Sequence, residues 1–146
     1  MKLPIETLRE ISSMMKGIPF MASLGMKEIE ELAFAFNQRH FHKGQVIIKQ
    51  GQKGDLFFLV YKGMVGVFKE RFIGRKKLAE LGPGNFFGEI SLIENVPRTA
   101  TVIAIDDSEV YTLSPDAFEK TLLSYPEIGQ MIISTSGIRR KETESS

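Results

Sequence analysis

Phe86-Phe87-Gly88-Glu89-Ile90-Ser91-Leu92-Ile93-Glu94-Asn95-Val96-Pro97-Arg98-Thr99-Ala100-Thr101-Val102-Ile103-Ala104 is the stretch on which the reading of this chain turns. A glycine and an acid open it, a short apolar turn follows, and an arginine stands in front of a β-branched strand. Gly88 permits close backbone approach and a positive φ. If Glu89 to Leu92 form one helical turn, their free N–H groups favour a bound anion. Arg98 adds a permanent charge whose planar fork fits phosphate oxygens. Glu89 would be repelled by that phosphate, so its natural partner is a hydroxyl donor such as a ribose 2′-OH. An anion that also carries a sugar hydroxyl is what these residues suit.

Phe87-Gly88-Glu89-Ile90-Ser91-Leu92 followed by Pro97-Arg98-Thr99-Ala100 resembles the phosphate-binding cassette of cyclic nucleotide-binding domains. That module occurs in protein kinase A regulatory subunits, catabolite activator proteins and cyclic-nucleotide-gated channels. The resemblance implies that Glu89 holds the ribose 2′-OH and Arg98 the cyclic phosphate. It further implies that backbone N–H groups of the short helix, and of the residue after the arginine, complete the cradle. Gly88, Glu89, Arg98 and Ala100 all stand at the family's spacing. The implied ligand-binding set is Phe87, Gly88, Glu89, Ile90, Ser91, Arg98, Thr99 and Ala100. The ligand is cAMP or cGMP, and no cofactor is implied.

Thr99 bears on the choice of base. Cyclic GMP-dependent kinases place a hydroxyl residue after the arginine, where it reaches the guanine 2-amino group. Many cAMP domains carry alanine there, and some channel domains with threonine still favour cAMP. Threonine is also simply a good strand residue. The base stays open.

Around this stretch, 146 residues suffice for one domain with its own core. An apolar share of 42% and a charged share of 25% belong to an ordinary globular chain rather than a disordered one. The net charge of +1 gives no general reason to expect nucleic acid or a membrane surface as partner. With no cysteine, disulfides, thiol catalysis and thiolate metal sites are excluded. The N-terminal residues lack the apolar region of a signal peptide, and the longest apolar run, Leu56 to Tyr61, is too short to span a bilayer. A cytoplasmic location is expected.

Ile5 to Met15 carries apolar residues at helical spacing, with Gly17 and Pro19 ending it. Met26 to Asn37 forms a second expected helix, with Met26, Ile29, Leu32, Ala33 and Phe36 inside. Then the texture changes to short β-rich runs between glycines: Gln45–Lys49, Leu56–Tyr61, Met64–Lys69, Lys76–Leu81, Thr99–Ile105 and Glu109–Leu113. Gly51-Gln52-Lys53-Gly54-Asp55 and Gly82-Pro83-Gly84-Asn85 read as turns. Short strands at regular intervals imply a sandwich or jelly roll. Ser114 is an expected N-cap with Pro115 at the first helical position, and Tyr125-Pro126 separates that helix from a last one reaching Arg140. By resemblance, the last helix is a lid over the base, carrying Ile132, Ile133 or Ile138. The tail from Lys141 to Ser146 is polar and expected to fray.

The expected architecture is therefore mainly β with flanking helices: a helical bundle over about 4–38, a jelly-roll-like β-roll over about 39–113, and C-terminal helices over about 115–141. His40 and His42 form a His-x-His pair, as in cupin-type metal sites, but there is no third histidine and no nearby acid. Exposed edge histidines are the expectation. No nucleophile triad or catalytic carboxylate pair is recognisable, so an enzyme is not expected. No helix-turn-helix follows Ile138, and DNA binding is not expected either. The expected function is a cyclic nucleotide sensor that signals through its C-terminal helices to a protein effector. The alternative is a jelly-roll interaction module that binds no cyclic nucleotide.

Overall fold

In a computed structural model, the structure describes residues 5–16, 25–54, 56–88, 96–120 and 134. Two helices come first, α1 (Ile5–Lys16) and α2 (Met26–Ala35), packed on one another. Eight strands follow among the described residues: β1 (Asn37–Phe41), β2 (Val46–Ile48), β3 (Phe57–Lys62), β4 (Val65–Glu70), β5 (Arg75–Leu81), β6 (Phe86–Phe87), β7 (Thr101–Ala104) and β8 (Ser108–Leu113). They form two antiparallel four-stranded sheets, ordered β1-β8-β3-β6 and β2-β7-β4-β5. The expected β-roll with flanking helices is present.

The core lies between the sheets. Phe58, Val60, Phe87 and Val110 of the first sheet meet Ile48, Val65, Val102 and Ala104 of the second in one buried cluster. Phe58 and Phe87 are cross-strand partners whose rings stack at 4.7 Å, a geometry that adds to plain area burial. Phe57, Leu59, Tyr111 and Leu113 alternate with the first sheet's core residues and are also fully buried. Phe36, directly after α2, packs its ring edge-on to Tyr111 at 6.0 Å. Glu10 of α1 accepts a hydrogen bond from the Tyr61 hydroxyl, and Ile11 beside it is completely buried. The helical segment thus covers the first sheet's outer face. That two-sided burial explains why β3 is apolar at nearly every position rather than at every second one.

Several boundaries differ from expectation. The second helix stops at Ala35, not Asn37, and Asn37 to Phe41 is a strand paired with β8. This strand escapes apolar periodicity because four of its five side chains are exposed; the backbone ladder holds it. β7 begins at Thr101 rather than Thr99. The backbone at Arg98 is instead tied to the 51–52 turn, with Arg98 N–H donating to Gln52 O and Gly51 N–H to Arg98 O, each at 2.8 Å. β6 has only two residues, too few to show a period.

The turn at Gly82–Asn85 closes as expected, with Asn85 N–H donating to Gly82 O at 3.0 Å and its side chain accepting from Gly82 N–H at 2.9 Å. Ser114 caps α3 (Pro115–Phe118), its hydroxyl accepting from Ala117 N–H at 3.3 Å with Pro115 in the first turn. The expected helices beyond α3, including the lid positions Ile132, Ile133 and Ile138, lie outside the described residues. So do the side chains of Met26, Ile29, Leu32 and Ala33. Among the described residues, no helix is long and apolar enough to cross a membrane.

Candidate functional site

Arg98 is the centre of the site. It stands three residues before β7, in the second sheet, and only 7% of its surface is exposed. Its Nη1 donates to Gly88 O at 2.9 Å and its Nη2 to Leu56 O at 3.0 Å. Gly88 directly follows β6 and Leu56 directly precedes β3, strands that pair in the first sheet. The guanidinium therefore fastens the end of the β3–β6 ladder to the strand entering the opposite sheet. Charge-assisted bonds to backbone carbonyls fix the plane of the fork.

Two glycines make room for it. A Cβ at Gly54 would overlap Arg98 Nε and stand 2.5 Å from Cζ, so the guanidinium lies flat against this backbone. At Gly88, φ is +91°, and a Cβ would meet Leu56 O at 2.7 Å and Arg98 Nη1 at 3.2 Å. Any side chain there is strained by conformation and blocked by contact.

The residues expected from sequence fall into two groups. Phe87 is buried in the core, Gly88 and Arg98 are hydrogen-bonded to each other, Thr99 is half-buried and Ala100 is buried. Of these, the fold joins Gly88 and Arg98 directly. Glu89, Ile90 and Ser91 lie outside the described residues, as does the helical turn expected from Glu89 to Leu92. Sequence reasoning misses the roles of Leu56, whose carbonyl orients Arg98, and of Gly54, which the spacing marks only as part of a turn. The signal for Gly54 was its place in a Gly-x-x-Gly turn; nothing in that spacing names the side chain that lies on it.

His40 and His42 are both exposed, their rings edge-on at 4.9 Å, and among the described residues no metal-ligating cluster of three forms. A cleft of about 550 Å³ separates α1 from the 83–85 turn, lined by Glu10, Ser13, Met14, Pro83, Gly84 and Asn85. Gly54, Leu56 and Gly88, which surround the Arg98 guanidinium, do not line it.

Comparison with known proteins agrees with the geometry. The chain is 35% identical over 108 residues to the cAMP-dependent protein kinase regulatory subunit of Debaryomyces hansenii, covering 74% of this chain and 23% of that protein. It is 30% identical over 131 residues to the cyclic AMP receptor protein of Thermus thermophilus, covering 89% and 61%. The chain thus spans about a quarter of the kinase subunit it matches and less than two thirds of the receptor protein. Among solved structures, a cAMP-bound PfPKA-R superposes with a TM-score of 0.79 at 26% identity, over 83% of this chain and 43% of that one. The catabolite activator protein of Thermus thermophilus superposes with a TM-score of 0.75 at 28% identity, over 86% and 60%. The family model described as cyclic nucleotide-binding domain matches residues 38–125, the roll and the helix after it. With that match laid over two sheets joined through Arg98, the chain belongs to the cyclic nucleotide-binding domain family.

Proposed function

We propose that this domain binds cAMP or cGMP reversibly, does no chemistry on it, and passes the binding on to a protein effector through its C-terminal helices. In this reading Arg98 and the N–H groups near Ser91, Thr99 and Ala100 hold the cyclic phosphate, and Glu89 holds the ribose. Phe87, Gly88 and Ile90 shape the backbone that carries those groups. The observation that supports it is the buried Arg98, a permanent cation oriented by two backbone carbonyls and seated on a glycine. Relatives in the family are named for cAMP, and several structural neighbours hold it. Signalling requires that the ligand favour one of two arrangements of the C-terminal helices, by as much as its affinities for the two differ.

The test is calorimetric titration of cAMP and cGMP into protein refolded free of nucleotide, at one fixed salt. Saturable binding of at least one nucleotide is expected. A charge-assisted bond contributes roughly 1.5–3 kcal/mol, so Arg98→Ala should weaken binding at least ~10-fold. Arg98→Lys should also bind less well, because a point charge lacks the fork. Arg98 holds the fold as well, so melting temperature is recorded in parallel, and Glu89→Gln probes the ribose contact. Absence of binding by either nucleotide would move the function to the interaction-module reading.

A further inference from the structure

The hairpin joining β4 to β5 carries a surface that nucleotide binding leaves unused. It turns over 71–74, with Arg71 N–H donating to Gly74 O at 3.1 Å. At its tip stand Phe72 and Ile73, 104% and 85% exposed. Turn tips ordinarily take glycine, asparagine, aspartate or proline, each for a backbone reason. Phenylalanine and isoleucine supply none of these and leave two large apolar side chains in water.

The charge around the tip is equally segregated. From Lys69 to Lys77, nine residues hold five cations and one acid, a net +4 in a chain whose total is +1, so the remainder is net −3. The acid, Glu70, pairs with Arg75 at 3.1 Å. In the ladder, Lys69 stands directly opposite Lys76, and like charges in that relation destabilise a hairpin. β5 is an edge strand, where lysines deter unwanted strand pairing. That accounts for Lys76 and Lys77. It does not account for Lys69, which lies on the inner strand, or for the apolar tip.

We propose that this hairpin docks on an anionic lipid bilayer, with Phe72 and Ile73 in the headgroup boundary and Lys69 and Lys76 against lipid phosphates. A basic surface around protruding apolar side chains is the pattern of interfacial membrane contact. Two side chains that stand this far into solvent suit a soft layer that yields to a wedge. Tip-to-tip contact with a second copy would set the same positive charge against itself. The attachment is peripheral, weak for a single hairpin, and sensitive to salt.

The full chain is to be sedimented with vesicles of equal parts phosphatidylcholine and phosphatidylserine, and with vesicles of phosphatidylcholine alone. Binding is expected to the first only, falling as salt rises. Phe72→Ser with Ile73→Ser should lower partitioning about tenfold or more, and Lys69→Gln with Lys76→Gln about tenfold. Melting temperatures verify that the variants fold. Phe72→Trp gives a chain that has no tryptophan a single one, and its emission should shift to the blue with anionic vesicles. Failure to sediment with anionic vesicles overturns the proposal, as it would if the true partner were an acidic protein. Equal binding to neutral vesicles, full binding by the Phe72/Ile73 variant, or unshifted emission overturns it as well.

Discussion

The two sheets of the roll have the same strand count and the same antiparallel pairing, yet they live in different surroundings. The first is covered on both faces, by the roll interior and by the helical segment. Its strand β3 is fully buried at four consecutive positions, Phe57 to Val60. The second faces the interior with Val65, Val102 and Ala104, and among the described residues its far edge is open to solvent. Its outer strand β5 buries no residue completely, and its charged side chains stand in water. A strand's sequence texture thus reports how many of its faces are covered. A continuous apolar run marks a strand between two layers, and a charged run marks an edge.

The largest effect is expected in the first sheet. Leu59→Ala should cost about 2–5 kcal/mol, because the cavity lies between β3 and a layer that relaxes only partly. Lys77→Ala in β5 should stay within about 0.5 kcal/mol. Urea denaturation of the two variants would show equal losses if both sheets were in fact covered alike. At the junction, Gly54→Ala should displace the guanidinium from its carbonyls, lowering stability by about 1–3 kcal/mol and weakening any nucleotide affinity with it. Unchanged melting and unchanged calorimetric affinity would mean that Arg98 does not rest on that glycine.

A smaller effect is expected from the outer face of the first sheet. Among the described residues, the buried hydroxyl of Tyr111 meets no hydrogen-bond partner. Tyr111→Phe should therefore leave stability unchanged or raise it by up to about 1 kcal/mol; a clear loss in denaturation would point to a partner beyond those residues. The smallest effect concerns pH. The hydrogen bond to Glu10, with burial and the Glu10 charge adding to it, pushes the Tyr61 phenol up to about 12 from 10.0. Burial chiefly, with Glu109 and Glu10 adding, raises Tyr111 in the same direction. A folded-state value above the unfolded one means the stability is fully present below pH 10 and is lost as pH rises toward 12. Tyr61→Phe should flatten the decline of melting temperature across that window, and modestly, because the group faces solvent.

Much of this was legible in the chain itself. The apolar run at Leu56 to Tyr61, the Gly82–Asn85 turn and the Ser114 cap each carry a local physical cause, and each formed. The site's family was legible from Gly88, Glu89, Arg98 and Ala100 because their spacing is specific. β1 was not legible, because an edge strand with exposed side chains is specified by its partner's backbone rather than by its own pattern. Gly54 was not, because its role is contact with a side chain more than forty residues away. The basic hairpin was hidden by the net charge, which averages its excess against the acids elsewhere.

Arg98 joins strands of both sheets through bonds at 2.9 and 3.0 Å, and this has a consequence for how the molecule is assembled. The group expected to meet the ligand is set in place by the same event that closes the roll. Closure and placement of the cation then belong to one cooperative transition. A chain that melts in a single step already carries the Arg98 guanidinium in position, before any nucleotide is added.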